Sequence, residues 1–121
     1  MLVNFENGKE IKEVWHKKEY DVFLNKINAL DKDTIESIKY SIKNLMSTSE
    51  VNVTSWMPGK DWTGTPYQPI FDALGLESSS AMCFGLLVQE CIIEDDRVWS
   101  FTRIDKIEGM VYFEIKNYLK L

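Results

Sequence analysis

Histidine occurs once in this 121-residue chain, as His16, and cysteine twice, as Cys83 and Cys91. Any Ser-His or Cys-His catalytic pair would have to use His16. That residue stands among Lys17, Lys18 and Glu19 and reads as a plain surface side chain. The cysteines lack Cys-x-x-Cys spacing, and one histidine does not complete the usual structural zinc set. Eight helical residues separate them by roughly 12 Å, beyond the reach of a disulfide. Two reduced core thiols predict a cytoplasmic protein. No apolar run approaches the ~20 residues of a membrane span. Met1–Gly8 has neither the basic region nor the apolar core of a signal peptide. Ser78, Ser79 and Ser80 lack the Gly-x-Ser-x-Gly elbow of a nucleophile and read as helix caps. There is no Gly-x-Gly-x-x-Gly and no Walker loop. Glu94-Asp95-Asp96 lacks the alternating spacing and glycine of a calcium loop and reads as a solvated turn. The expectation is no catalytic residue, no metal, no cofactor and no membrane partner.

Positive charge is also unevenly missing. Residues 61–96 contain no Lys or Arg but hold Asp61, Asp72, Glu77, Glu90, Glu94, Asp95 and Asp96. Residues 1–50 are close to neutral, and the C-terminal stretch carries Arg97, Arg103, Lys106, Lys116 and Lys120. Cations available to a partner therefore lie on the N-terminal helices and near the C-terminus, while the middle of the chain is an acidic block.

The hydrophobic content of 45%, with six Phe, five Tyr and four Trp, is enough to fill one core in a single domain of 121 residues. Ile11, Val14, Trp15, Val22, Phe23, Ile27 and Leu30 follow helical spacing, which predicts one helix over 9–29, with a break near His16 or a strand at 10–15 as the alternatives. Ile35, Ile38, Ile42 and Leu45 predict an amphipathic helix over 34–46. Val51–Ser55 alternates as a short strand. Thr65-Pro66 with Gln68 has the form of a capping box, and Gly75 follows as a stop, so a helix is expected over 66–74. Residues 79–92 are apolar almost all round and predict a buried helix. Residues 98–104 and 110–115 are β-branched and aromatic, flank a turn ending in Gly109, and predict a hairpin.

This order of elements resembles that of a winged helix over residues 34–115, with residues 1–33 as an N-terminal helical extension. The fold class expected is α+β: helix, short strand, helix-turn-helix and a two-stranded wing. The phrase from Trp56 through Pro58-Gly59 and Gly64-Thr65-Pro66 to Ile70 resembles small proteins of Gram-positive prophages and conjugative elements, a likeness that brings no activity with it.

Two functional expectations follow. The first is a nucleic-acid-binding protein that meets phosphates through Arg97, Arg103 and Lys106 at the wing and through Lys39 and Lys43. Against it, the third helix offers Gln89 and three serines but no Lys or Arg for base readout. The alternative is an acidic protein-interaction module or inhibitor for a basic, nucleic-acid-handling partner. There Trp56, Trp62 and Tyr67 would be contact anchors, with Asp61 and Asp72 as the charge. A homodimer through the N-terminal helix is also expected, with Trp15 and Phe23 buried against a second copy.

Overall fold

The computed structural model describes residues 1–4, 8–29, 32–47, 50–52, 61–103 and 111–115, with 50–52, 100–103 and 111–115 described as backbone. The expected positions Trp56 and Lys106, the turn Asp105–Gly109 and the strand residues after Asn52 lie outside the described residues.

The fold is α+β. In chain order the elements are β1 (Leu2–Val3), β2 (Glu10–Ile11), α1 (Lys17–Asn28), α2 (Thr34–Leu45), β3 (Glu50–Asn52), α3 (Gln68–Leu74), α4 (Glu77–Glu94), β4 (Trp99–Arg103) and β5 (Val111–Ile115). The strands form one sheet in the order β2-β1-β4-β5-β3. Only β1–β4 is parallel; β1–β2, β3–β5 and β4–β5 are antiparallel. A parallel pair needs a long crossover, and here nearly the whole helical body lies between Val3 and Trp99.

The first segment corrects the expectation of one helix over 9–29 in favour of its alternative, a strand within 10–15. Glu10–Ile11 is a strand paired with Leu2–Val3, and the helix begins only at Lys17. Gly8, at φ 70°, turns the chain so that Asn4 N–H reaches the Lys9 carbonyl at 2.8 Å. A positive φ of this kind is free to glycine and strained for most other residues. His16 then takes the left-handed conformation, φ 54° and ψ 47°, immediately before α1, which divides the periodic apolar run in two. Ile11 and Val14 fit a helical spacing, but Ile11 sits opposite Leu2 in the hairpin.

Apart from the late start of α1, the helices form where periodicity placed them. Tyr20 and Ile27 of α1 are buried, with Phe23 and Leu24 packed beside them. Trp15 and Phe23 are half-buried and packed against the chain's own core. Ile35, Ile38 and Ile42 are the buried stripe of α2. Between Trp62 and α3 the capping groups are displaced by one residue from a standard box. Thr65 Oγ1 accepts from Tyr67 N–H at 3.3 Å, and Gln68 Oε1 accepts from Gly64 N–H at 3.0 Å. Gly75, at φ 74°, ends α3 and gives its N–H to the Phe71 carbonyl at 2.8 Å.

The 18-residue α4 runs through the centre. Cys83, Phe84, Leu86, Leu87, Val88, Cys91 and Ile92 are all buried, facing different neighbours. None of the serines 78–80 caps it: Leu76 is the N-cap residue and no side chain bonds the free N–H groups. Ser80 is instead buried with its hydroxyl unpartnered. Around Phe84 the aromatic contacts are edge-on, with Tyr67 at 4.7 Å and Trp62 at 6.3 Å between ring centroids. Among the described residues, no helix is long and apolar enough to cross a membrane.

Candidate docking surface

Helix α4 and the turn after it carry five of the seven acids of the 61–96 block, and three of these pair with other side chains of the molecule. Glu90 accepts a hydrogen bond from the hydroxyl of buried Tyr20 on α1. Burial and this carboxylate both raise the Tyr20 pKa, so the phenol stays protonated. One turn on, Glu94 accepts from Lys39 Nζ at 2.6 Å and lies 3.5 Å from Lys43 Nζ. Lys39 is only 8% exposed. Burial works against its charge, but the Glu94 hydrogen bond and the nearby Glu90 and Glu94 carboxylates outweigh it and raise its pKa. Gln89 adds a fourth tie, its Oε1 accepting from Trp15 N–H at 2.9 Å.

Asp95 forms the next knot. Its carboxylate accepts from Arg97 Nη2 at 2.8 Å, Arg97 Nε at 3.0 Å and Trp99 Nε1 at 2.9 Å. Arg97 also donates to the Met46 carbonyl at 3.1 Å and lies 5.2 Å from the Trp99 ring centroid. Partial burial pushes the Asp95 carboxyl up, but these donors prevail and hold it below the usual carboxylate value of 3.8. A depressed folded pKa adds stability that is present above 3.8 and is lost as the pH falls through the lower folded value. Asp95→Asn is therefore expected to cost about 1–3 kcal/mol at neutral pH. The deficit should close as the pH falls below 3.8. Urea unfolding across an acid pH series checks both statements.

The structure thus places the expected phosphate-binding residues in two groups. Glu94 takes the buried Lys39 out of the expected cationic surface, while Lys43 and Arg97 pair with Glu94 and Asp95 but keep 51% and 44% of their side chains exposed. The cause is the acidic block itself, which sequence order could not match to its cations. Arg103 lies at the end of β4, with its backbone paired to Val111. The expected contact anchors also divide. Trp62 and Tyr67 are 3% and 6% exposed and belong to the core around Phe84, so they are corrected from anchors to packing residues. Asp61 and Asp72 are exposed. Thr63 N–H donates to Asp61 at 3.0 Å, and this bond keeps the Asp61 carboxyl below its usual value.

Burial pushes the Cys83 and Cys91 thiols each up to about 12, which leaves them protonated and unreactive at neutral pH. A cleft of about 260 Å³ beside Cys91 is walled by the already paired Lys43, Glu94, Asp95 and Arg97. Among the described residues, no three His, Cys, Asp or Glu side chains converge as metal ligands.

The α3–α4 corner also faces outward. Asp72, Leu76, Glu77 and Ser78 are exposed there, and none of Asp72, Leu76 and Glu77 takes an ion pair or side-chain hydrogen bond among the described residues. Leu76 and Glu77 were not singled out by the sequence. The signal available was an apolar residue between a stop glycine and a helix start, where a capping side chain is usual.

The fold and this surface define an α+β domain with an acidic outer corner and its buried charges neutralised internally. Comparison with known proteins finds no matching family model, no matching curated protein and no matching solved structure.

Proposed function

We propose that the protein is a non-enzymatic interaction module with a winged-helix-like core that binds a basic protein partner through the acidic surface around α3. The observation that carries this reading is the division of the acids. Glu90, Glu94 and Asp95 are used within the fold, while Asp61, Asp72 and Glu77 face solvent in a stretch without Lys or Arg. A winged-helix-like build is supported by β3, between α2 and α3, pairing with β5 beside β4 in one sheet. The third helix of that build, α4, is buried along most of its length and begins with an acid, which suits packing better than groove reading. Phosphate binding by Lys39 would first break its partly buried pair with Glu94, while Lys43 and Arg97 hold weaker surface pairs with Glu94 and Asp95.

The test is titration of the protein with oligolysine and with random-sequence duplex DNA across a salt series. Oligolysine is expected to bind with an affinity that falls with salt, and Asp72→Lys to weaken it several-fold. Duplex DNA is expected not to bind even at low salt. Duplex binding that vanished in an Arg103→Ala, Lys106→Ala double variant would instead support the nucleic-acid reading.

A further inference from the structure

Among the described residues, His16 is the one non-glycine with a positive φ, 54° with ψ 47°. In an L-residue this left-handed conformation crowds Cβ against the following carbonyl oxygen. Such strain persists only where the surroundings enforce it. Local contacts do not repay it: His16 is exposed, and its side chain makes no capping bond at the start of α1. Lys17, Lys18 and Glu19 beyond it are exposed as well. The turn serves what precedes it, because it folds the arm of residues 1–15 back onto the body.

That arm is held by defined contacts. Leu2 is fully buried and pairs with Trp99 in the parallel ladder, and Val3 pairs with Ser100. Trp99 N–H donates to the Met1 carbonyl at 2.8 Å. Val14 is buried, and Trp15 N–H donates to Gln89 Oε1 at 2.9 Å. The receiving groups lie on α4 and β4, after the turn in the chain. The arm of a second copy presents identical groups, so the same contacts form between chains. The turn at His16 is then not needed. With His16 right-handed, α1 gains a residue at its start and the arm leads away from its own body. The side chains at the turn are exposed, so opening it uncovers no packing there. A strained hinge beside a separable terminal element favours domain exchange.

We infer that the chain forms a reciprocal dimer in which residues 1–15 exchange between two copies about a hinge at His16. The interaction surface is the arm's own seat on α4 and β4, and its occupant is the arm of the second copy. This inference does not depend on the acidic surface.

The experiment refolds the full chain from urea at high protein concentration and reads mass by size-exclusion chromatography with light scattering. The wild type is expected to yield a dimer. His16→Ala lacks histidine's tolerance of the left-handed turn and favours helix, so it is expected to shift the balance further towards dimer. His16→Gly takes the turn freely and is a poor helix former, so it is expected to favour the monomer. A dimer has two hinges; at roughly tenfold each, His16→Gly weakens dimerisation about a hundredfold. In a dimer of isotope-labelled and unlabelled wild-type chains, filtered nuclear Overhauser spectra are expected to show contacts between Leu2 of one chain and Trp99 of the other. A dimer that keeps these contacts within each chain overturns the exchange. A wild-type chain that stays monomeric at millimolar concentration also overturns it, and that arm requires no variant to fold. A His16→Gly dimer as tight as the wild type shows that the turn is not the hinge and overturns it as well.

Discussion

Phe84→Ala is expected to destabilise the protein by about 3–5 kcal/mol, the usual cost of emptying a fully buried aromatic site. Phe84 is at the middle of α4 with no exposed surface. The Tyr67 ring meets it edge-on at 4.7 Å and 75°, and the Trp62 ring at 6.3 Å and 84°. Each such pair contributes about 0.5–1.5 kcal/mol beyond area burial. The ring therefore joins the 62–67 segment, which precedes α3, to the central helix. Alanine there leaves a cavity whose walls come from separate elements and cannot all close in. For a chain of this length the loss corresponds to a fall in thermal midpoint of roughly 10–20 °C. Urea unfolding followed by tryptophan fluorescence and near-ultraviolet circular dichroism reads both the stability and the local order around Trp62. The softer Phe84→Leu should cost about 1–2 kcal/mol, so a folded variant exists even if alanine unfolds the chain. A loss below about 1 kcal/mol for Phe84→Ala would mean that Tyr67 and Trp62 do not depend on this ring.

The second large effect is asymmetric. Glu94→Ala is expected to cost about 2–3 kcal/mol, whereas Lys39→Met should stay within about 1 kcal/mol of the parent. Lys39 Nζ is 2.6 Å from Glu94 and its side chain is 11% exposed, against 40% for Glu94. Removing the carboxylate strands a buried ammonium. Removing the ammonium takes the buried charge away and leaves Glu94 with Lys43 at 3.5 Å and with water. The partial exposure of Glu94 keeps the cost below the ~3–5 kcal/mol of a fully buried pair. The pH dependence has a definite sign. The Lys39 pKa is raised above its ordinary 10.5, so the pair's contribution is complete at neutral pH and is lost only as the pH rises through the higher folded value. Denaturation of the two single variants and of Lys39→Met with Glu94→Leu, at neutral pH, tests the argument. Equal losses in the two single variants would show that burial of the charge is not what matters.

Both effects bear on why the acidic block looked uniform in sequence and is not so in space. Seven carboxylates in a stretch without Lys or Arg form one acidic block in sequence, which leaves open whether they share a face. Glu90 and Glu94 instead point to α1 and α2, because a helix turning 3.6 residues per turn carries residues four apart on one side. That side of α4 meets the two N-terminal helices. Asp72 and Glu77 precede this contact and stay outside. The same burial separates the two loop tryptophans from any simple rule: Trp62 is core, and Trp56 lies beyond the described residues.

The sequence by itself determined the α+β class, the amphipathic stripe of α2, the buried character of α4, the stop at Gly75, the unbridged cysteines and the antiparallel pairing of β4 with β5. Each depends on a local period, a single turn residue or a short sequence separation, so neighbouring residues suffice to specify it. Tertiary structure alone decided that Leu2 pairs in parallel with Trp99, which of the helix and strand readings holds at Glu10–Ile11, that Lys39 is buried against Glu94 and Arg97 pairs with Asp95, and that Leu76 is exposed. Those outcomes depend on partners brought together from distant parts of the chain, and on which surfaces the completed core leaves uncovered. A residue's periodicity records which side of its own element it occupies; whether that side meets protein or water is fixed only when the other elements have packed.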